Sequence, residues 1–418
     1  MQIDIEGSSF KRTIREAVRL GLPPEDFVII DPRITSHVLP FNVLAADAHF
    51  NRFTVVQALV AAMMRCWPTA FEAGARMESM LTSGATLLAE HNLSLRDFPR
   101  ICEDEDLCAC LADGAQDPQA RSFFYHYRTK RQFGDWIESS WNKVSALAHS
   151  PYLGPMLESP TCTDFSKLMD EKTVLVRLDE AHLQGHLRLI ATLLLHRIEM
   201  DSYKRDEGAS PYPIYLDEGQ EYPTPSLHRL VARRQKRGIG MAIFFQVRRQ
   251  FDPEMFSAII GNVRTRIAFG LGDVEDAEVM AKQLFQPTGD RIKTQKTEKL
   301  LGLFDVPVGE PKFWSLAEEI SHFAGELRRA VPGEAVLHLL DSGEVYWLTT
   351  PLVPDLDDIP QDVVKRWVMA SMEANLLPRS ATLDERKRRE EYLAAFAETA
   401  RKLAHKKAKE RALKKRSS

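Results

Sequence analysis

Two apolar runs in the middle of the chain end in polar residues. Ile214–Leu216 is followed by Asp217 and Glu218, and Met241–Phe245 is followed by Gln246. A continuous apolar run is typical of a strand that is buried on both faces of a parallel sheet. We therefore predict two buried strands whose carboxyl ends carry these three polar side chains.

The segment between the two runs has the pattern of a helix, from Ser226 to Arg237, and Gly238 ends it. Strand, helix and strand in this order predict a βαβ unit of a parallel sheet, in which ligands bind at the carboxyl ends of the strands. Asp217 is then placed to hold the water shell of a nucleotide-bound Mg²⁺, and Glu218 to orient or deprotonate an attacking water. Gln246 is placed to sense the γ-phosphate.

A plainer interpretation applies to the same residues. Asp217 and Glu218 are also suited to cap the following helix, and Gln246 to be an ordinary strand end. For so short a motif alone, the plainer interpretation is the better one, because such motifs often occur without function.

The wider sequence favours the functional interpretation. Residues 215–246 read YLDEGQEYPTPSLHRLVARRQKRGIGMAIFFQ, and residues 256–284 read FSAIIGNVRTRIAFGLGDVEDAEVMAKQL. Both segments resemble the ATPase domain of the HerA–FtsK superfamily, and within it the TraG/TraD-like coupling proteins of conjugation and type IV secretion. In that family a DE-x-Q Walker B box, a K-x-G helix terminus, a strand ending in Gln and a GN-x-x-T-x-I-x-F strand follow in this order.

The resemblance runs from residue 1 to about residue 350. It implies an α/β fold: a RecA-like, mostly parallel sheet flanked by helices, with an inserted all-α subdomain and a helical basic tail. The expected parts are the start of the ATPase core at 1–48, the all-α insertion at 49–150, the rest of the core with Walker B at 151–350, a linker and short helix at 351–382, and the basic helical tail at 383–418.

The start of the chain reads as a strand at Gln2–Ile5, a helix at Phe10–Leu20 and a strand at Phe27–Asp31. In the family that it resembles, a phosphate-binding loop comes before the first of these strands. The motif G-x-x-x-x-G-K-[ST] does not occur in the 418 residues, and the nearest approach, Gly7-Ser8-Ser9-Phe10-Lys11, has the wrong spacing.

The missing motif matters because the backbone N–H groups and the Lys of that loop bind the phosphates. Two hypotheses follow. The chain is a truncated or split part of a longer motor, or it is a member that has lost ATP binding. We favour the first, because the downstream site residues still match.

The insertion shows helical patterns at Val55–Met64, Ala75–Leu88 and Trp136–Leu147. The acidic cluster at 103–106 is expected to be a solvated helix start. Several aromatic residues in this region are expected to be core rather than base-stacking residues: Trp67, Phe123, Phe124, Tyr125 and Tyr127.

A third apolar run, Val174–Leu178, is followed by Asp179, Glu180, Ala181 and His182, which spell a DEAH box. We reject it as the metal-binding strand, because such a helicase also needs an upstream phosphate loop and a downstream Ser-Ala-Thr motif. A metal on the histidines of this turn is disfavoured, because no further ligand spacing supports it.

Basic residues near the site are candidate contacts to nucleic-acid phosphates. Arg248 and Arg249 follow Gln246 directly, and Lys236 and Arg237 end the preceding helix. A solvated basic face explains such residues equally simply.

An arginine donated to a neighbouring subunit would stabilise charge on the leaving phosphate. Many relatives place it directly after the Phe of the GN-x-x-T-x-I-x-F strand, where this chain has Gly270. Arg264 or Arg266 is the candidate instead, and a plain surface charge is an equal alternative.

The carboxyl-terminal third has three further features. Residues 288–300 are polar and are expected to form a mobile loop, and 351–362 are expected to be a linker. Ala335–Leu340 and Val345–Thr349 are expected to pair as a hairpin.

The composition, with 44% hydrophobic and 27% charged residues, is that of an ordinary soluble globular protein. No apolar run reaches the ~18 residues of a membrane span. Five cysteines without a C-x-x-C motif indicate reduced thiols and a cytoplasmic location, with the inner membrane reached through partners or a missing segment.

The net charge of −4 is unevenly distributed. Residues 401–418 carry nine Lys or Arg and one Glu, which leaves +8 in the tail and −12 in the rest. The tail is either a solvated, partly disordered end or an anchor on DNA phosphates or an acidic membrane surface.

By resemblance, the full machine is a homo-oligomeric ring, hexameric in expectation, that hydrolyses ATP with Mg²⁺ and moves DNA. Relaxase or secretion-channel proteins are the expected partners, and this chain alone is not expected to hydrolyse ATP. A non-hydrolysing adaptor that binds DNA or secretion partners is the alternative. A HerA-like helicase is a third hypothesis, which the helical insertion disfavours.

Overall fold

The computed structural model describes residues 1–67, 75–127, 133–183, 186–222, 225–233, 235–300, 304–353, 356 and 358–416. The side chains of some residues inside helices and strands of these ranges are outside the description, among them 294–300 and 304–311. The chain forms two compact units. The first comprises Met1–Gln246 and Leu356–Ser418, and the second comprises Val247–Asp355.

The first unit is built on a five-stranded sheet whose neighbouring strands all run parallel. In spatial order the sheet reads β2, β4, β1, β5, β6. A separate antiparallel pair joins β3 to β12. The strands of this unit are β1 Gln2–Asp4, β2 Phe27–Ile30, β3 His37–Val38, β4 Thr173–Arg177, β5 Tyr212–Leu216, β6 Ile239–Ile243 and β12 Leu377–Pro378.

Helices flank the sheet, and the predicted α/β fold with a mostly parallel sheet is confirmed. They are α1 Ser8–Arg19, α2 Arg52–Cys66, α3 Ala75–Glu90, α4 Phe98–Glu103, α5 Glu105–Asp113, α6 Pro118–Tyr127, α7 Phe133–Ala148, α8 Gly154–Leu157, α9 Phe165–Glu171, α10 Glu180–Leu183, α11 Leu187–Ser202, α12 Pro225–Arg233, α16 Gln361–Asn375 and α17 Arg379–Arg416. None of the helices that the structure describes is both long and apolar enough to cross a bilayer.

The strands at the centre of the sheet are buried as their sequences predict. Val28, Ile29, Val174 and Val176 are almost fully buried. The outer strand β6 differs from the prediction. Its apolar run was expected to be buried, yet Met241 and Ile243 are only half-buried. The reason is that β6 is the last strand in the order of the sheet, so only one of its two sides faces another strand of that sheet.

The helical insertion follows the predicted helices closely. Phe123 and Phe124 pack edge to face with ring centroids 5.3 Å apart, and both are buried. Tyr125 is 82% exposed, so its assignment to the core was wrong. Trp67 is half-buried, and the side chain of Tyr127 lies outside the described residues. Asp104 caps α5 by accepting from the backbone N–H of Leu107 at 2.9 Å, so the acidic cluster starts a helix as expected.

The last helix, α17, packs on the insertion through its apolar stripe. Leu393 and Ala397 are buried, and the Phe396 ring meets His91 edge to face at 5.6 Å. Arg401 lies 3.3 Å from the Asp104 carboxylate. The part of this helix before residue 402 is therefore docked on the insertion through one face, and the side chains from 403 onward are outside the description.

A network of ion pairs joins α11 to α9 and to the loop before α2. Asp47 lies 2.9 Å from Lys204 and 3.0 Å from Arg197, and Asp164 lies 3.4 Å from Lys204. Burial opposes ionisation of Asp47, but Lys204 and the backbone N–H groups of Phe50 and His49 hold its pKa well below the ordinary value. Asp164 likewise has a lowered pKa, where Ser166 and Lys204 outweigh the effect of burial.

These lowered pKa values predict a loss of stability in acid. A carboxyl group with a lower pKa in the folded state contributes fully above its unfolded pKa of about 4, and the contribution is lost as the pH falls through the folded pKa. We expect the free energy of unfolding to fall below about pH 4 by up to about 1.4 kcal/mol per pH unit for each group. Urea denaturation at several pH values measures this slope. Lys204→Met should flatten it, Lys172→Met should not, and equal slopes in all three proteins would contradict the assignment.

The second unit contains a three-stranded antiparallel sheet in the order β11, β10, β7 and a separate two-stranded hairpin of β8 and β9. Leu284, Leu327 and Val336 are fully buried in its core, and the rings of Phe285 and Phe323 stack at 4.0 Å. Its elements are α13 Pro253–Asn262, β7 Thr265–Phe269, α14 Val274–Leu284, β8 Ile292–Leu300, β9 Phe304–Phe313, α15 Leu316–Arg329, β10 Glu334–Leu339 and β11 Glu344–Thr349.

The hairpin of β10 and β11 confirms the predicted strand pair. The expected mobile loop at 288–300 was wrong, because Ile292–Leu300 pairs with Phe304–Phe313 as antiparallel strands. A polar run lacks the apolar alternation that signals a strand, whereas strand pairing itself needs only backbone N–H and C=O groups.

Candidate active site

The predicted acidic pair and Gln246 lie at one edge of the first unit's sheet. Asp217 and Glu218 follow β5 directly, and Gln246 lies three residues beyond β6. Since β5 and β6 are parallel neighbours, their carboxyl ends meet at the same edge. The structure therefore brings together the three residues that the sequence singled out.

Glu218 is held by amides on both sides of its carboxylate. The side-chain N–H of Gln246 donates to Oε1 at 2.6 Å, and Gln220 donates to Oε2. The backbone of Glu218 is left-handed, with φ of 49°. This conformation is strained for a residue with a side chain, and such strain collects at functional sites. The N–H of Gly219 donates to the carbonyl of Phe244 at 2.8 Å, which fixes the turn to β6.

Among the residues that the structure describes, no cationic side chain forms an ion pair with the Asp217 carboxylate. Burial, together with the charges of Asp4 and Glu218, raises its pKa above the ordinary value. Its Oδ1 accepts from the N–H of Glu218 at 3.2 Å. A cation at this position would relieve the repulsion among the carboxylates.

Among the residues that the structure describes, no group of three or more His, Cys, Asp or Glu side chains is placed to hold a metal ion. Mg²⁺ in nucleotide sites commonly keeps several waters and is bound through one or two carboxylates and the substrate phosphates. Asp217 fits that role, and a cage made only of protein ligands does not fit this site.

Two residues near Asp217 were not found from the sequence. Asp4 is fully buried and caps α1 by accepting from the N–H groups of Gly7 at 2.5 Å and Phe10 at 2.6 Å. Tyr222 is fully buried, and burial with the nearby Asp217 raises its pKa. Its hydroxyl has no hydrogen-bond partner within the described part of the chain. Neither residue belongs to a periodic pattern, because Asp4 caps the helix from four positions before Ser8 and Tyr222 is an isolated tyrosine. The sequence therefore gave no signal for them.

The DEAH segment has a different electrostatic environment. Asp179 lies 2.6 Å from Arg177, 2.8 Å from His182 and 3.5 Å from Arg33. Although burial opposes ionisation, His182 and Arg177 hold the pKa of Asp179 below its ordinary value. These ion pairs neutralise Asp179 within the protein, whereas Asp217 has no such ion pair within the described ranges.

Three of the candidate nucleic-acid contacts already have partners within the protein. In the second unit, Arg248 lies 2.6 Å from Glu275, and Arg249 lies 2.8 Å from Asp273. In the first unit, Arg237 donates to the carbonyl oxygen of Tyr203 at 2.8 Å. Lys236 is exposed.

The two candidate arginine fingers also differ. Arg266 is partly buried and donates to the carbonyl oxygens of Gln283 at 2.7 Å and Ile260 at 2.8 Å. It therefore links β7 to α14 and α13 within the second unit. Arg264 is 66% exposed and lies 3.5 Å from Asp341.

Comparisons with known proteins agree with this architecture. Residues 211–301, which include the acidic pair and Gln246, match the family TraG-D_C, described as the TraM recognition site of TraD and TraG. The bacterial conjugative coupling protein TrwBdeltaN70 in its unbound monoclinic form matches with a TM-score of 0.51 and 12% identity, over 86% of this chain and 86% of that chain. The plasmid coupling protein TrwB with the non-hydrolysable GTP analogue GDPNP matches with a TM-score of 0.53 and 13% identity, over 86% of this chain and 87% of that chain.

The chain has the fold of a conjugative coupling protein. The resemblance seen in the sequence is thereby confirmed, and at these identities the structural likeness establishes the fold alone. No curated protein sequence matches the chain.

Proposed function

We propose that this chain is the motor part of a conjugative coupling protein that hydrolyses ATP to move DNA. The observation that supports the proposal best is the bond from Gln246 to Glu218 across two strand ends, beside an Asp217 with a raised pKa. A carboxylate held by an amide from the neighbouring strand is suited to couple water activation to the state of a bound phosphate.

The proposed roles follow from these contacts. Asp217 would hold the water shell of Mg²⁺, and the ion would supply charge stabilisation on the phosphates. Glu218 accepts a hydrogen bond from the attacking water and takes up its proton. Gln246 leaves Glu218 when a γ-phosphate offers its amide a better acceptor, which frees the carboxylate for the water.

The remaining parts of the proposal concern oligomer and partners. In a homo-oligomeric ring, the exposed Arg264 is the better candidate to reach a neighbouring nucleotide, because Arg266 is occupied by carbonyl oxygens. Lys236 is the remaining exposed candidate for DNA phosphate, and Arg248, Arg249 and Arg237 would first have to leave their present partners. The family match adds a TraM-like protein to the expected partners, beside relaxase and secretion-channel proteins, and the basic tail adds an acidic membrane surface.

The test is ATP hydrolysis by the chain joined to a phosphate-loop segment, with and without DNA. Gln246→Ala should lower turnover about 100-fold, the loss expected when one preorganised donor is removed. The matched control is Gln250→Ala, an exposed glutamine four residues later, which should hydrolyse like the wild type. Wild-type turnover in Gln246→Ala would refute the proposed role of Gln246.

The second candidate function is a non-hydrolysing adaptor that binds DNA or secretion partners, a function that needs no phosphate-binding loop. It predicts DNA or partner binding that is unaffected by ATP. If no phosphate-loop segment restores turnover, the adaptor is the better account.

A further inference from the structure

The end of α2 and the start of α12 both pack on one face of α11. Thr192 Oγ1 lies 3.9 Å from the Sγ of Cys66, the last residue of α2. One turn later, His196 Nδ1 lies 3.1 Å from Ser226 Oγ near the start of α12. Arg188 occupies the same face one turn before Thr192, because residues four apart share a helix face. Three helices of the first unit therefore meet at one junction.

Positive charge collects at this junction without matching acidic residues on two of its helices. Arg65 lies beside Cys66 at the end of α2 and is exposed, and α12 carries Arg229 and, one turn later, the exposed Arg233. Neither α2 nor α12 contains an Asp or a Glu. Burial and the charge of Arg229 lower the pKa of Arg65, which indicates that the two guanidinium groups are close enough to repel each other.

The carboxylates at the junction balance only part of this charge. Arg188 and Arg229 each have one carboxylate partner, at 2.8 Å and 3.1 Å. In the part of the chain that the structure describes, no carboxylate pairs with Arg65 or Arg233. The junction therefore has two cations more than it has anions.

The cations at the other end of α11 have the opposite balance. Arg197 and Lys204 share the three carboxylates of Asp47, Asp164 and Asp201, with every ion pair at 3.4 Å or less. The protein thus supplies an excess of carboxylates where its arginine and lysine side chains have a structural role. Cations that face each other at a surface without such partners are stabilised by an anion from solution. The junction therefore has the charge of a site for an external anion.

A nucleic-acid backbone fits this site better than a small anion does. Guanidinium groups bind phosphate oxygens through two parallel N–H donors. The arginines lie on the surfaces of three helices, and on α11 alone the junction runs from Arg188 to His196, two turns or about 12 Å. A DNA strand carries one phosphate about every 3.4 Å along the duplex axis, so it presents several phosphates over this length. A small anion would meet only part of the junction.

We infer that Arg65, Arg188, Arg229 and Arg233 form a surface that binds the phosphates of DNA. We call it the junction patch. The exposed Lys236, three residues beyond Arg233, extends it along the chain. The choice of DNA as the polyanion rests on the proposed function, whereas the place of the patch rests on the charges of the three helices.

The test is the binding of a short fluorescein-labelled DNA, as a single strand and as a duplex, to the intact chain without nucleotide. The double variant Arg65→Gln with Arg233→Gln removes the two unpaired cations and breaks no ion pair among the described residues. We expect it to bind at least about tenfold more weakly at low salt. The slope of log affinity against log salt should also fall by about 2, because each lost phosphate contact lowers it by about 1.

Two further double variants show whether charge at this place causes the effect. Arg65→Lys with Arg233→Lys keeps both charges and should keep the wild-type salt slope. Arg366→Gln with Arg388→Gln removes two exposed arginines from α16 and α17 and should bind within about twofold of wild type. The basic tail is present in every protein, so the differences report on the junction patch. Equal affinity and slope in the junction glutamine variant and the wild type overturn the inference, as does an equal loss in the control.

The remaining outcomes separate this inference from other partners and from the proposed function. If the junction glutamine variant binds DNA normally but loses self-association or binding to acidic lipid vesicles, the patch has a different partner and the inference is wrong. DNA binding that depends on the patch, without ATP turnover in the chain joined to a phosphate-loop segment, supports the patch and refutes the motor function. ATP turnover with equal DNA binding by all variants does the reverse.

Discussion

We expect Glu218→Gln to lower ATP turnover severely in the chain joined to a phosphate-loop segment and to leave nucleotide binding intact. An amide retains the shape of the side chain but does not accept the proton of the attacking water. Loss of a general base typically costs 10²–10⁴-fold in rate, and we expect a loss of about this size. The acceptor for Gln246 also changes from a carboxylate to a neutral carbonyl.

The measurement is steady-state ATP hydrolysis, combined with the affinity for a fluorescent nucleotide. Glu221→Gln is the matched control, because Glu221 lies in the same turn and pairs with Arg188 at 2.8 Å at the surface. We expect Glu221→Gln to hydrolyse ATP within about twofold of wild type, as surface changes usually do. Equal turnover of Glu218→Gln and wild type would remove Glu218 from the mechanism.

The second large effect is on stability and comes from Asp201. This residue is fully buried at the end of α11, where its Oδ2 accepts from the backbone N–H of Phe165 at 2.8 Å and from Arg197 at 2.9 Å. Lys204 Nζ lies 2.8 Å from its Oδ1. Asp201→Ala leaves two cations and a helix start without their shared anion, and removing one partner of a buried pair costs about 3–5 kcal/mol.

Urea denaturation measures the free energy of unfolding of Asp201→Ala. Asp201→Asn keeps an acceptor for Phe165 and should lose less than the alanine variant. The exposed Asp206→Ala is the control and should change stability by no more than about 0.5 kcal/mol. If Asp201→Ala unfolded at the same urea concentration as Asp206→Ala, the contacts of Asp201 would contribute nothing to the free energy of unfolding.

Local sequence patterns were sufficient for the strands of the parallel sheet and for the principal site residues. β5 and β6 carry apolar runs, and the polar residues that end them meet because parallel strands share an edge. The helices of the insertion could also be predicted from the sequence, since apolar residues recur at helical spacing in α2 and α3.

Features that depend on distant partners were not predictable. Asp179 and Asp217 both begin an Asp-Glu pair after an apolar run, and the sequence does not show that Arg33 and Arg177 neutralise the first of them. The exposure of β6 follows from its place in the sheet, which no local pattern encodes. Tyr125 follows two buried phenylalanines yet points outward, because its position on the helix decides its burial.

The left-handed backbone at Glu218 has a consequence for protein engineering. Glycine adopts this conformation without strain, so Glu218→Gly should relieve part of the roughly 1–3 kcal/mol that such a conformation costs. A library screened only for resistance to heat would therefore enrich glycine at this position. The selected variants would be more stable but would lack the carboxylate that is proposed to accept the proton. Any such screen therefore needs a parallel measurement of phosphate release.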